Sequence, residues 1–392
     1  MTQAIRPEPA FPTRYRRRQQ ARHFFGDSAD RYASLYMQAE PVADELAAWL
    51  RAERKARTEL FERSMREGIA SVQDAPVELR NFFDSVEKVP PWVDFDQINH
   101  GALAYQRFGL LGMIVLSAWS LLNGYHSSAA VKPLAMTGQL RQNTQRRLAE
   151  TARFVSEATQ VDGLLRGHRG HEISLRVRVI HAFVRHDCLA SQRWKTDEWG
   201  LPINQADMFG TLLEFSLLMM DGARRLGFVL SDAEAEAILA LWRYCGHLSG
   251  VDPWLLEHFS SESQTRRIAD LLRLIQPGPD EDSLALAEAL FEVPGQNASG
   301  KGPAWIAWFV TRFHHGLARA LNGPEIADDL GVPDDLWQYA EYPARAIIKP
   351  LEALRRAVPG ASRLAARIGN EAIRRDLPRI LRGLEPDFGD QS

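Results

Sequence analysis

Apolar residues recur every three to four positions along most of the chain, with charged residues between them. This spacing places apolar side chains on one face of a helix, whereas a half-buried strand alternates at every second residue. The sequence contains no alternating runs of strand length and no glycine-rich phosphate loop after a strand. The pattern therefore predicts an all-α protein, with its clearest helices at 41–68, 138–165, 173–192, 202–226, 231–248, 283–291, 304–321 and 337–358.

Two signals mark helix ends near the middle of the chain. Ser231 and Glu234 have the spacing of a capping box, in which each side chain accepts a bond from the other residue's backbone N–H. Gly227 follows the last apolar positions of 202–226, where a C′ glycine is typical. A short turn between two helices is expected there.

The segment 108–122 carries no charge. It is shorter than the roughly 20 apolar residues that a membrane-spanning helix needs, and Arg107 and Asn123 bound it. This favours a buried core helix. A helix that dips into a membrane, or that lines a channel for an apolar substrate, is the alternative.

The N-terminal region is basic, with arginines at positions 14, 16, 17, 18 and 22. An export signal needs an apolar core of about 7–15 residues after such a cluster, and Gly26, Asp27 and Asp30 interrupt any such core here. We therefore expect a solvated basic arm over 1–40, with a membrane-surface or partner contact as the alternative. Because no low-complexity linker follows, 41–392 is predicted to be a single helical domain, located in the cytoplasm.

Composition narrows the possible functions. The 392 residues are 45% hydrophobic with a formal net charge of −3, which is typical of a globular protein and does not indicate nucleic acid as a partner. Cys188 and Cys245 are the two cysteines and form no CxxC pair, so a zinc knuckle or a disulfide framework is not expected. His168 and His171 form an HxxH pair, but no further ligands complete a metal site around it.

The segment 178–185 contains the best candidate metal ligand, His181. In a helix, Arg178 and Arg185 share a face with it. Two neighbouring cations keep an imidazole neutral, which is the form that binds a metal, and they suit two carboxylates of a ligand. Taken alone, the segment is explained more simply by a partly buried structural histidine with surface arginines.

A second polar helix face lies upstream. Arg147, Glu150, Thr151 and Phe154 stand three to four positions apart, which brings them to one side of a helix. A cation, a carboxylate, a hydroxyl and an aromatic ring on one face are unusual for a packed core. They are ordinary for a surface, on which Glu150 would pair with a neighbouring arginine.

Taken in order, these segments resemble the latex clearing protein (rubber oxygenase) family, which includes a fungal membrane-bound oxygenase acting on a prenyl chain. The similarity covers about 90–252. The matching residues are Arg147 and Thr151, the HAFVR segment with His181, WKTDEWGLPINQ at 194–205, Asp207, Thr211, Phe215, DGARRLG at 221–227, and Trp242 with Gly246-His247.

The resemblance implies a globin-like helical core with added helices at both ends, holding haem b with His181 as the proximal ligand. It places Arg147 and Thr151 in the haem surroundings, and we count Arg178, Arg185 and Thr151 among the residues that bind the cofactor. The implied chemistry is oxidative cleavage of an isoprenoid C=C bond by O₂. A haem- or lipid-binding sensor, or a peroxidase-like haem enzyme, is the alternative.

The chain departs from the family pattern at two points. Latex-cleaving members have a lysine just before the threonine, where this sequence has Glu150. This carboxylate is a candidate distal base, with Arg147 and Thr151 beside it in the predicted catalytic set. The missing export signal favours a small unsaturated apolar substrate, such as a prenyl chain, terpenoid or lipid, over an extracellular polymer.

Overall fold

The structure, a computed structural model, describes residues 11–136, 140–298 and 303–381. Within these ranges the chain forms twenty-one α-helices and no β-strand, so the predicted all-α class is confirmed. A π-helix, Leu116–Leu121, lies between α7 and α8. The helices are α1 Arg18–Phe25, α2 Asp27–Ser34, α3 Pro41–Ala52, α4 Arg54–Glu67, α5 Val77–Glu87, α6 Phe95–Gln106, α7 Gly109–Val115, α8 Leu122–Tyr125, α9 Ser128–Met136, α10 Leu140–Ala158, α11 Arg169–Ala190, α12 Thr196–Trp199, α13 Gln205–Phe215, α14 Leu217–Arg225, α15 Asp232–Leu248, α16 Pro253–Glu257, α17 Glu262–Ile275, α18 Glu281–Ala298, α19 Ala304–Asp329, α20 Glu341–Ala357 and α21 Ala361–Leu381.

Two predicted helices are each divided in the structure. The helix expected at 41–68 ends at Ala52 and restarts at Arg54, because Glu53 leaves the helical conformation with φ −142° and ψ 67°. The helix expected at 202–226 breaks at Ser216, which has φ −110° and ψ −84°. The apolar period continues across both breaks, so the sequence pattern contains no sign of them.

Residues 11–40 pack into the core through part of their side chains, so a fully solvated arm is wrong for this part of the chain, although several of its arginines stay exposed. The Arg14 side chain is buried, and its guanidinium donates two bonds to the Asp207 carboxylate at 2.6 and 2.8 Å. Tyr32 and Tyr36 are fully buried, and the Tyr32 hydroxyl donates to the Ala206 carbonyl at 3.0 Å. A buried arginine is tolerated here because its charge is paired and hydrogen-bonded. Residues 1–10 of the predicted arm lie outside the described residues.

Helices α6 and α15 pack closely against each other in the core. A Cβ atom on Gly101 would lie 2.2 Å from the Ala237 carbonyl oxygen, so only glycine permits this approach. Beside this contact, the fully buried Trp242 ring meets the rings of Tyr105, Phe154 and Phe215. Helices α6, α10, α13 and α15 therefore share one aromatic core, and it supports the candidate site.

The chain bends sharply where the apolar segment 108–122 begins. The helical stretches Phe95–Gln106 and Gly109–Tyr125 meet at 86°, and Gly109 adopts the left-handed φ of 51° that glycine favours. Leu116, Ala118 and Leu122 are buried, as expected for a core segment. No single helix in the described ranges is long and apolar enough to cross a membrane, although this bent pair meets the length and composition criteria together.

Candidate functional site

Helix α11 carries His181 at its centre and packs against α3 and α10. The His181 ring lies deep in the protein yet keeps part of its surface accessible. Its Nδ1 atom is buried and has no hydrogen-bond partner among the described residues, whereas Nε2 is not one of the buried unpaired atoms. Burial, with the Arg185 charge as the second cause, lowers the pKa of His181 to about 4. The imidazole is therefore neutral at pH 7, as metal ligation requires.

The two arginines beside His181 bind carboxylates of this chain. Arg178 donates to both oxygens of Glu40, at 3.1 and 2.9 Å, and to the Ser85 hydroxyl. Arg185 donates to Asp44 at 2.6 Å and to the Ile203 carbonyl at 3.1 Å. The predicted role of Arg178 and Arg185 in holding carboxylates of a cofactor is therefore not supported by their bonds, which favour fixing α11 to the start of α3.

Arg178→Met tests this structural role. The variant leaves Glu40 buried without its partner, so we expect a loss of about 3–5 kcal/mol in the free energy of unfolding, measured by urea denaturation. Arg273→Met is the matched control with a near-zero effect, because Arg273 pairs with Asp270 on the surface. A variant of unchanged stability that fails to bind haem would instead return Arg178 to the cofactor site.

Helix α10 places the second predicted group beside α9. Arg147 is partly buried and donates to the Leu134 carbonyl of α9 at 3.1 Å, and burial lowers its pKa. Thr151 is partly buried one turn further along. Glu150 accepts a bond from Arg146 at 2.9 Å on the same helix. Of the two predicted arrangements for Glu150, the structure shows the surface-type pair with Arg146, and the role of distal base stays a prediction.

A buried acid that the sequence reasoning missed lies on α13. Glu214 is enclosed by protein, keeps part of its surface accessible, and has no hydrogen bond or ion pair among the described residues. Its carboxylate rests on the backbone of Gly124, where an added Cβ would lie 2.1 Å from Oε1. Burial, followed by the charge of Asp207, raises the pKa of Glu214 to about 8. A carboxyl group with this pKa takes up and releases protons near neutral pH.

Tyr125 connects Glu214 to the α10 face. Burial raises the pKa of Tyr125 to about 12, while the positive charge of Arg147 lowers it and the charge of Glu214 raises it. Arg147, Tyr125 and Glu214 thus lie within electrostatic range in a chain from α10 through α8 to α13. Tyr125 lies in α8, which follows directly after the π-helix, an irregularity often found at functional sites. The arrangement supplies a buried, proton-exchanging carboxylate, with Tyr125 within electrostatic range of both this group and Arg147.

Glu214 had a detectable signal in the sequence. It is the only charged residue in 212–220, LLEFSLLMM, and an acidic side chain is rarely buried in such an apolar stretch unless it has a functional role.

The HxxH pair, His168 and His171, has no further metal ligands around it among the described residues. The described ranges contain no group of three or more His, Cys, Asp or Glu side chains able to hold a metal ion.

The fold is all-α, and it places a neutral, partly accessible histidine on α11 and a buried acid on α13. The sequence model of the family "ER-bound oxygenase mpaB/B'/Rubber oxygenase, catalytic domain" matches residues 105–359. The chain belongs to this oxygenase family.

Two individual relatives agree with this assignment. A rubber oxygenase of Streptomyces sp. (strain K30) is 26% identical over 302 residues, covering 75% of this chain and 70% of the relative. A solved structure of latex clearing protein in its closed state matches with a TM-score of 0.61 at 22% identity, covering 88% of this chain and 91% of that one. The expected globin-like helical fold and the expected family are thereby confirmed.

Proposed function

We propose that this protein is a haem b-dependent oxygenase that cleaves or oxidises a C=C bond in a small, apolar, unsaturated substrate. The observation that carries the proposal is His181, a neutral imidazole deep in the protein that keeps part of its surface accessible, in a chain that belongs to an oxygenase family.

The residues present fit a haem better than a bare metal ion. A haem iron needs one axial protein ligand, which His181 supplies. A protein-held ion needs three or four ligands, and the described ranges contain no such group. When bound, the haem supplies the one-electron and O₂ chemistry that side chains lack. His181 would hold it, with Arg147 and Thr151 in its surroundings.

The chain's own residues would position the substrate and move protons. In oxidative cleavage the C=C bond breaks and each carbon takes one oxygen atom of O₂, giving two carbonyl ends. Glu214 would take a proton from the allylic carbon and return it as the products form, because its pKa of about 8 suits both directions. The apolar segment from α7 to α8 would line the path for a prenyl chain, terpenoid or unsaturated lipid, since Glu214 lies against its end.

The proposal is tested with protein expressed alongside a haem precursor and a matched haem-free preparation. We expect an intense Soret band in the first, and aldehyde or ketone products when it is incubated with O₂ and short isoprenoid alcohols. The haem-free preparation is expected to give neither. A Soret band without products across a broad substrate panel would instead indicate a haem-binding sensor, and hydrogen peroxide-driven oxidation alone would indicate a peroxidase.

A further inference from the structure

Exposed large apolar side chains are concentrated in one part of the molecule. Among the described residues, twelve of the twenty such side chains lie between Trp305 and Ile368, while the other eight are scattered from Phe24 to Leu284. Soluble proteins seldom leave such a cluster uncovered without a partner. We call this set the C-terminal apolar face; its members are Trp305, Trp308, Phe309, Leu336, Tyr339, Tyr342, Ile347, Leu351, Leu354, Val358, Leu364 and Ile368.

Helix α20 is the centre of this face. Ile347, Leu351, Leu354 and Val358 follow the i, i+4, i+7, i+11 spacing of one helical stripe. The first three are 60–65% exposed. The opposite side of α20 faces the core through Ile348 and Glu352, each 5% exposed. Most amphipathic helices turn their apolar stripe toward the core, whereas α20 turns its main apolar stripe toward the solvent.

The polar rim of α20 is positive. Arg345, Lys349 and Arg356 are exposed and make no ion pair within the described ranges. The two acids of the helix are both engaged: Glu341 pairs with Arg225, and Glu352 accepts bonds from Arg355 and from the Val229 backbone. The net charge of the chain is −3, so this positive rim is a local feature.

The face continues on both sides of α20 with side chains of the same character. In the first turns of α21, Leu364 and Ile368 are exposed, each directly after an exposed arginine. At the start of α19 and in the 3₁₀ turn Leu336–Ala340, the exposed residues are mainly Trp and Tyr. Aromatic rings with a polar atom prefer the boundary between lipid chains and headgroups.

We propose that the C-terminal apolar face docks on the surface of an anionic lipid bilayer. Apolar side chains flanked by unpaired Lys and Arg match a membrane whose headgroups are negative and whose interior is apolar. A second copy of the chain fits less well, because a twofold contact through α20 would bring the same three cations against each other.

The test is vesicle flotation of the full-length protein. We expect binding to equimolar phosphatidylglycerol–phosphatidylcholine vesicles and much weaker binding to phosphatidylcholine alone. The triple variant I347S/L351S/L354S should lower the partition coefficient by at least about tenfold, and R345Q/K349Q/R356Q by on the order of a hundredfold, at low salt only. The matched control V77S/V161S/L284S removes exposed apolar side chains from elsewhere and should bind as the unmodified protein does.

Circular dichroism and light scattering accompany each variant, so that a folding defect or a change in mass is detected. Absence of binding to the anionic vesicles would overturn the proposal. So would a dimer in solution that the I347S/L351S/L354S variant dissociates, since the face would then join two copies. Equal loss of binding in the V77S/V161S/L284S control would show that the face is not the docking site.

Discussion

His181→Ala is expected to abolish the Soret band of the haem-loaded protein while leaving the helical circular dichroism spectrum unchanged. Nδ1 of His181 is buried without a partner among the described residues, and Nε2 is the ring nitrogen that we assign to the iron. Alanine removes the axial bond, and no group of metal-ligating side chains in the described ranges replaces it. The measurement is the ratio of Soret to protein absorbance after purification.

His171→Ala is the matched control for this experiment. His171 lies on the same helix, and burial lowers its pKa to about 4, as it does for His181. The two residues therefore differ in position rather than in protonation state. We expect His171→Ala to retain the band. A normal band in His181→Ala, or its loss in both variants, would contradict the ligand assignment.

Glu214→Gln is expected to lower the rate of product formation by about 10²–10⁴-fold, the usual contribution of a general acid–base group. The amide matches the carboxyl in size but cannot accept the proton. Because the pKa of Glu214 is raised to about 8, activity of the unmodified enzyme should rise with pH toward 8, and this limb should be missing from the variant. The Soret band should remain.

Stability provides an independent readout for the same residue. A carboxyl whose pKa is higher in the folded than in the unfolded protein contributes stability below the unfolded pKa, and this is lost as pH rises through about 8. Glu214→Gln should therefore be more stable than the unmodified protein above pH 8.

Glu150→Gln is the control for the activity measurement. Because Glu150 pairs with Arg146 at 2.9 Å, we expect little loss of product formation in this variant. If Glu150→Gln instead lost far more activity than Glu214→Gln, Glu150 would be the base.

Local signals predicted local features well. The Ser231 capping box is present at the start of α15, with Glu234 bonding back to the Ser231 backbone. Gly227 adopts the positive φ of 104° expected of a C′ glycine. Both features depend on a few consecutive residues, so the chain around them contains all the information needed. The helix breaks at Glu53 and Ser216 carry no comparable local signal.

The partners of the site residues could not be predicted from the sequence alone, because they come from distant parts of the chain. Helical spacing correctly placed Arg178 and Arg185 beside His181 along α11, but not their partners Glu40 and Asp44, which are more than 130 residues away in the chain. In the same way, the sequence predicted a solvated N-terminal arm. The partner of Arg14 is Asp207 on a helix far along the chain, and local spacing contains no information about that contact. Spacing identifies a helix face, whereas the element that covers this face depends on the whole fold.

Isotope labelling tests the central claim most directly. The haem-loaded protein is incubated with a short isoprenoid under ¹⁸O₂, and the carbonyl products are reduced with borohydride at once, before they exchange oxygen with water. A haem-dependent oxygenase should place ¹⁸O in the products of the loaded protein and form none with the haem-free preparation. Unlabelled products, or equal product from both preparations, would contradict the account.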